Sequence, residues 1–265
     1  MDLSEGDILR FARQIVLPEI GGTGQAKLRR SRVLVIGAGG LGSPLLLYLA
    51  AAGIGHLGVV DDDRVDASNL HRQILFDTTD VGRGKVEAAR ERLRALAPDL
   101  DIRALPERLT PANAAGLVAG YDLVADGSDN FATRRAVHAA CLAAGIPLVS
   151  AAVQGMDGQL TTFKAHLGPP HPCFHCLFPE EPAAGALPSC AQGGVLGPAA
   201  GVVGTLQAVE VIKELLGGFE SLSGWLLLYD ARRSAFERLR VPRRADCPLC
   251  GEEPDGEGKA AAIPG

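Results

Sequence analysis

Gly37-Ala38-Gly39-Gly40-Leu41-Gly42 constrains the fold of this chain more than any other segment. It follows an apolar run at 32–36 (Arg-Val-Leu-Val-Ile) and precedes a stretch to about residue 52 that reads as a helix. Glycines at such a junction let the backbone turn sharply and approach a phosphate closely. The helix start then offers unpaired N–H groups and the positive end of its dipole. As a bare string G-x-G-x-x-G is weak; between a buried strand and a helix it is fairly specific.

The rest of the chain extends this unit. Apolar spacing predicts a helix over 5–17 with Ser4 as its cap, then a break at Gly21-Gly22-Thr23-Gly24 and a short helix to Arg30. Further strands are expected at 57–60, 102–105, 123–125 and from 147. Helices are expected at 84–97, ending before Pro98, and at 131–144, ending at Gly145. Continuous apolar strands alternating with helices imply an α/β fold: a Rossmann-like parallel sheet with helices on both faces. Beyond about residue 155 the style changes. Antiparallel strands are expected at 159–164, 225–229 and 236–241, with a buried helix over 199–216 whose Gly201 and Gly204 suggest close packing. Residues 179–198, rich in Pro, Gly and Ala, read as a long loop, a kind of segment that is often functional in compact domains. We expect one domain over 1–250, comprising N-terminal helices (5–30), a nucleotide-binding part (31–155) and a C-terminal part (156–250). The tail at 251–265 is expected to be disordered.

Composition removes several classes. A net charge of −5 argues against a general nucleic-acid binder. The N-terminus has neither a basic nor an apolar signal region, and the longest apolar run, Pro44 to Gly55, is too short to span a bilayer. A cytoplasmic protein without a membrane segment is expected, so its six cysteines need an explanation other than disulfides.

Asp61 ends the second strand about 20 residues past the glycines, where an acidic residue often binds a ribose hydroxyl; Asp62 and Asp63 adjoin it. These features suit NAD as well as ATP. The next segment separates the two. Arg72, in Ser68-Asn69-Leu70-His71-Arg72-Gln73, and Lys85 add a planar cationic fork and a point charge. A dinucleotide has no need of them, whereas a departing pyrophosphate does. Asp129, in Asp126-Gly127-Ser128-Asp129-Asn130, follows the fourth strand at the ligand-binding edge of the sheet, where one carboxylate can hold magnesium beside phosphate oxygens. Each residue also has a plain reading: surface charges at Arg72 and Lys85, a helix cap at Asp129.

Taken together the chain resembles the ThiF/MoeB/HesA family, relatives of the ubiquitin-activating enzymes. The resemblance is carried by Arg13-Gln14, Gly37 to Gly42, Asp61, Ser68 to Gln73, Lys85, Ser128-Asp129-Asn130, Ser189-Cys190 and two cysteine pairs. It implies that Gly40 and Asp61 contact ATP, that Ser68, Asn69, Leu70, His71 and Arg72 line the nucleotide site, and that Gln73 and Lys85 hold phosphates. Asp129 would bind magnesium with Asn130 beside it. Arg13 would reach the triphosphate in the other subunit of a homodimer. The implied activity is adenylylation of the C-terminal glycine carboxylate of a ubiquitin-like, β-grasp sulfur carrier ending in Gly-Gly, for molybdopterin or thiamin pathways. Sulfur would come from a separate cysteine desulfurase or rhodanese.

Cys173-Phe174-His175-Cys176 and Cys247-Pro248-Leu249-Cys250 are two C-x-x-C pairs about 70 residues apart. Four thiolates suit a closed tetrahedral, structural zinc site, with His175 a bystander. A redox pair competes, but neither motif opens a helix after a strand. In the family Cys190 takes up the acyl group or relays sulfur in some members and is idle in others, and both readings stay open. Cys141, mid-helix among apolar neighbours, reads as core. Two rival functions remain: a related enzyme activating a small-molecule or tRNA-linked carboxylate, and an NAD-binding oxidoreductase, which would leave Arg72, Lys85 and Asp129 unexplained.

Overall fold

The computed structural model describes residues 3–180 and 193–251. One eight-stranded sheet runs through them: β1 (Arg32–Ile36), β2 (His56–Val60), β3 (Asp101–Leu105), β4 (Leu123–Asp126), β5 (Leu148–Gln154), β6 (Asp157–Phe163), β7 (Trp225–Asp230) and β8 (Ala235–Arg240). The spatial order is β3-β2-β1-β4-β5-β6-β7-β8. The first five strands are parallel, and β5 to β8 form an antiparallel meander. The order reverses between β1 and β4, the switch point where open α/β sheets bind ligands.

The helices are α1 (Glu5–Ile15), α2 (Gly21–Arg30), α3 (Gly42–Ala51), α4 (Lys85–Leu96), α5 (Ala114–Val118), α6 (Phe131–Ala144), α7 (Phe174–Leu177) and α8 (Gly197–Leu216). The two-residue alternation of β1 divides the core. Val33 and Val35 face Leu45, Leu49, Leu93 and Val211 of α3, α4 and α8, whereas Leu34 and Ile36 face Leu117, Val137 and Cys141 of α5 and α6. Cys141 is core, as expected; burial pushes its thiol far above the ordinary range.

Ser4 caps α1 as anticipated, accepting the Asp7 N–H at 3.0 Å in a reciprocal capping box. The start of α2 differs. Gly21 to Gly24 form its first turn instead of a break preceding it. A Cβ on Gly24 would lie 3.2 Å from Leu216 at the end of α8, so that glycine serves close approach between helices. Of the two glycines expected to pack closely in α8, only Gly204 does, against the Leu41 carbonyl; Gly201 faces open space. Helices α5 and α7 and the 3-10 turns at Ala67–Asn69 and Thr78–Asp80 are not expected from the sequence. These are too short to show a helical period. Among the described residues no helix is long and apolar enough to cross a membrane.

Candidate nucleotide-activation site

Two loops meet at the switch point. The glycine loop leaves β1, and Gly127 to Asn130 leaves β4. A Cβ on Gly37 (φ +90°) would lie only 3.4 Å from the Gly127 carbonyl oxygen, and one on Gly42 would drive into the Gly37 carbonyl. Glycine at both positions brings the start of α3 against the strand ends. Above this junction lies a cleft of about 400 Å³, within the usual range for small-molecule sites.

Gly37, Gly39, Gly40, Asp61, Asn69, Arg72, Gln73, Lys85, Asp129 and Asn130 line the cleft. Asp61 is tied into the glycine loop: one carboxylate oxygen accepts the Ala38 N–H at 2.8 Å, the other the Asp63 N–H at 2.9 Å. Burial raises its pKa, partly offset by Lys85, whose ammonium is 4.0 Å away. Lys85, at the first position of α4, is buried and pairs with Asp63 at 2.7 Å. The side-chain carbonyl of buried Gln73 has no protein partner. Because an unmatched buried acceptor is costly, it points to a ligand or water in the cleft.

Asn130, and not Asp129, caps α6, accepting the Thr133 N–H at 2.9 Å. The capping alternative for Asp129 therefore fails, leaving its carboxylate to the cleft it lines. Behind this loop Asp126 is fully buried; its carboxylate accepts the Ser128 N–H at 2.9 Å, and burial pushes its pKa up. Gln207 of α8 donates to the Asp126 and Val149 carbonyls at 2.9 and 3.1 Å, pinning the ends of β4 and β5.

Five expected site residues are not on the cleft wall. Gly42 acts in backbone packing. Leu70 packs into the core. Ser68 and His71 support a neighbour: the Arg72 guanidinium donates to the Ser68 carbonyl at 3.1 Å and to His71 Nε2 at 2.9 Å. Arg13 is exposed on α1, away from the cleft of its own chain. Cys190 lies outside the described residues, as does the tail from 252. Glu107 to Leu109 and buried Arg134, none of them expected from the sequence, also line the cleft. The first group follows β3 at the same sheet edge as the other loops, a signal that was available. Arg134 sits one turn past Asn130 and donates to the Ser128 and Ala151 carbonyls at 2.5 and 3.1 Å, bracing the Asp129 loop.

The four paired cysteines converge, all buried. Their sulfurs are 3.8 Å (173–176), 3.5 Å (173–247) and 3.4 Å (176–250) apart. Sulfurs ~2.3 Å from a tetrahedral zinc would stand ~3.8 Å from one another, so the arrangement is compatible with zinc. Cys173 opens the one-turn α7, but from a loop and not a strand, so the thioredoxin-like reading gains nothing. Burial pushes the Cys173 thiol up, a cost that a dication bound to thiolates would remove.

Fold and cleft together define an α/β protein with a glycine-lined cleft at the switch point of its sheet. The chain belongs to the ThiF family, whose model matches residues 11–249. It is 49% identical to a sulfur carrier protein adenylyltransferase of Thermus thermophilus, over 96% of this chain and 94% of the relative. It is 46% identical to the SAMP-activating enzyme E1 of Haloferax volcanii, over 95% of this chain and 92% of the relative. Against the adenylyltransferase and sulfurtransferase MOCS3 of Sus scrofa the identity is 49%, over 95% of this chain but only 55% of that longer protein. Among solved structures, E. coli MccB with ATP superposes with a TM-score of 0.79 at 21% identity, covering 92% of this chain and 75% of MccB. At that identity the likeness speaks for the fold.

Proposed function

We propose that this chain adenylylates the C-terminal glycine carboxylate of a ubiquitin-like sulfur-carrier protein, releasing pyrophosphate. One observation carries the reading. A glycine-lined helix start, a planar cation, a buried lysine and an aspartate free of the capping role line one cleft at the switch point, and the Thermus thermophilus relative is named a sulfur carrier protein adenylyltransferase.

ATP lies with its triphosphate along the glycine loop, where the start of α3 favours negative charge. Asp61 takes the ribose. Arg72, Lys85 and Gln73 hold the phosphate chain, and Asp129 holds magnesium, which neutralises charge on the phosphates. A carboxylate oxygen of the carrier attacks the α-phosphorus. The bond from that phosphorus to the α–β bridging oxygen breaks, and pyrophosphate departs with the electron pair. The attacking carboxylate is already ionised at neutral pH, so no general base is needed. Arg72 and Lys85 act by matching the charge that builds on the leaving group.

The chain works as a homodimer in which Arg13 enters the cleft of a second copy. Its exposure on α1 supports this, as do the outward apolar side chains of the same segment, Leu9 (82% exposed) and Val16 (72% exposed). Zinc in the four-cysteine site is structural, tying α7 to the segment beyond β8. A separate cysteine desulfurase or rhodanese supplies the sulfur as a persulfide, whose outer sulfur attacks the acyl carbon as the acyl–oxygen bond breaks and AMP departs with the electron pair.

Exchange of labelled pyrophosphate into ATP tests the activity. Exchange that depends on a β-grasp carrier ending in Gly-Gly is expected. Exchange driven by a small-molecule or tRNA-linked carboxylate but not by the carrier would move the chain to the rival substrate class. NAD binding without ATP consumption would sink the reading.

A further inference from the structure

We propose that the paired amides of Gln14 and Gln25 are positioning residues for Arg13, locking α1 in the one rotation that presents the arginine to the cleft of a second copy. This role rests on the reading of Arg13 as acting in trans.

The lock is a closed set of hydrogen bonds. Gln25 of α2 is fully buried. Its side-chain carbonyl accepts the Gln14 amide at 2.6 Å, and the amide nitrogens of Gln14 and Gln25 each donate to the Ala52 carbonyl at 3.0 Å. Ala52 is the C-cap of α3, where helical carbonyls lack intrahelical partners. Three helices thus meet on one carbonyl, and α3 is the element that starts at the glycine loop. Phe11, one turn before Gln14 on the same side of α1, is also buried, against Gly53. That glycine must stay bare: φ is +89°, and a Cβ there would lie 2.6 Å from the Phe11 ring and 2.7 Å from the Gln25 amide.

Successive residues on a helix are ~100° apart. With Phe11 and Gln14 turned inward, Arg13 is held off to the side, exposed. Apolar contact alone tolerates rotation and sliding, whereas a half-buried amide anchored on a fully buried one is satisfied in one geometry. That is the physical reason for two glutamines where two leucines would bury more apolar surface. α1 has other attachments, Asp7 to Arg29 at 3.2 Å and Arg10 to the Leu96 carbonyl at 2.6 Å. Removing the amides therefore leaves the helix docked but with its rotation less closely fixed.

Gln14→Met keeps side-chain length and removes both donors. Carrier-dependent pyrophosphate exchange by the full chain should fall about ten-fold or more in kcat, with the KM for the carrier unchanged, since misplacing a charged group by ~1 Å is enough for such losses. Mixed dimers, assembled from differently tagged chains, separate positioning from damage. A subunit with Gln14→Met keeps an intact cleft, and a subunit with Asp129→Ala keeps an intact α1, so the mixed dimer should regain about half of wild-type exchange. The matched control pairs Arg13→Ala with Asp129→Ala. Recovery in the control but not with Gln14→Met overturns the positioning role and leaves the trans-arginine reading standing. No recovery in either, or a monomeric protein, overturns both. Undiminished exchange by the Gln14→Met homodimer overturns the positioning role alone.

Discussion

Lys85 Nζ lies 2.7 Å from the Asp63 carboxylate, and the two partners differ sharply in exposure: the lysine side chain is 6% exposed, the aspartate 68%. The lysine is fixed and the aspartate can turn to water, so a phosphate can replace Asp63 without moving the cation. Removing Lys85 takes away charge that the leaving pyrophosphate requires, while removing Asp63 takes away only a resting partner. Lys85→Ala should lower the pyrophosphate-exchange rate by about 100-fold or more. Asp63→Asn should change it by less than about five-fold. Steady-state exchange kinetics of both variants check this, and equal losses would contradict it.

The glycines make a second, graded test. Gly42→Ala drives a methyl group into the Gly37 carbonyl and should destabilise the fold by roughly 2–4 kcal/mol while distorting the phosphate loop. Gly201→Ala, inside α8 with open space around it, should stabilise by roughly 0.5–1 kcal/mol. Denaturant midpoints of the two variants should move in opposite directions.

With zinc proposed for the four-cysteine site, Cys173→Ser should lower the zinc content of the purified protein and its melting temperature by about 5 °C or more. Metal content by mass spectrometry together with thermal unfolding tests this. An unchanged metal content would contradict the four-thiolate site.

His138 gives a pH dependence unrelated to catalysis. It is buried, accepts the Phe174 N–H on Nε2 at 3.1 Å, and burial lowers its pKa from 6.5 to about 4. Between those values the unfolded chain binds a proton that the folded chain refuses. Its contribution is therefore intact above about pH 6.5 and is lost as pH falls toward about 4, a loss of up to ~3 kcal/mol. Replacing His138 with Gln should flatten this part of the stability profile in urea titrations at stepped pH; an unchanged slope would contradict the assignment.

Most of the architecture was legible because the parallel strands are short apolar runs and the glycine loop dictates a helix directly after β1. The cations and Asp129 were legible as types at the right sheet edge. The features that escaped were set by packing. Nothing local marks Gly24 as a contact with Leu216, and nothing local separates close-packed Gly204 from Gly201, which faces open space in the same helix. Ser68 and His71 sit in the right segment, yet the Ser68 carbonyl and His71 Nε2 hold Arg72 while the Ser68 hydroxyl donates to Asp66, a local geometry that spacing does not carry. Glu107 to Leu109 have no motif; their one signal is their place directly after β3, which ends beside β2 at the cleft.

Asp129 is the carboxylate left to the cleft once Asn130 takes the capping role, and the proposed chemistry depends on it. Pyrophosphate exchange by Asp129→Ala, measured beside its unfolding midpoint, tests that dependence most directly. A loss of about 1,000-fold or more with an unchanged midpoint is the expected result. Exchange near the wild-type rate would contradict it and place the chemistry elsewhere.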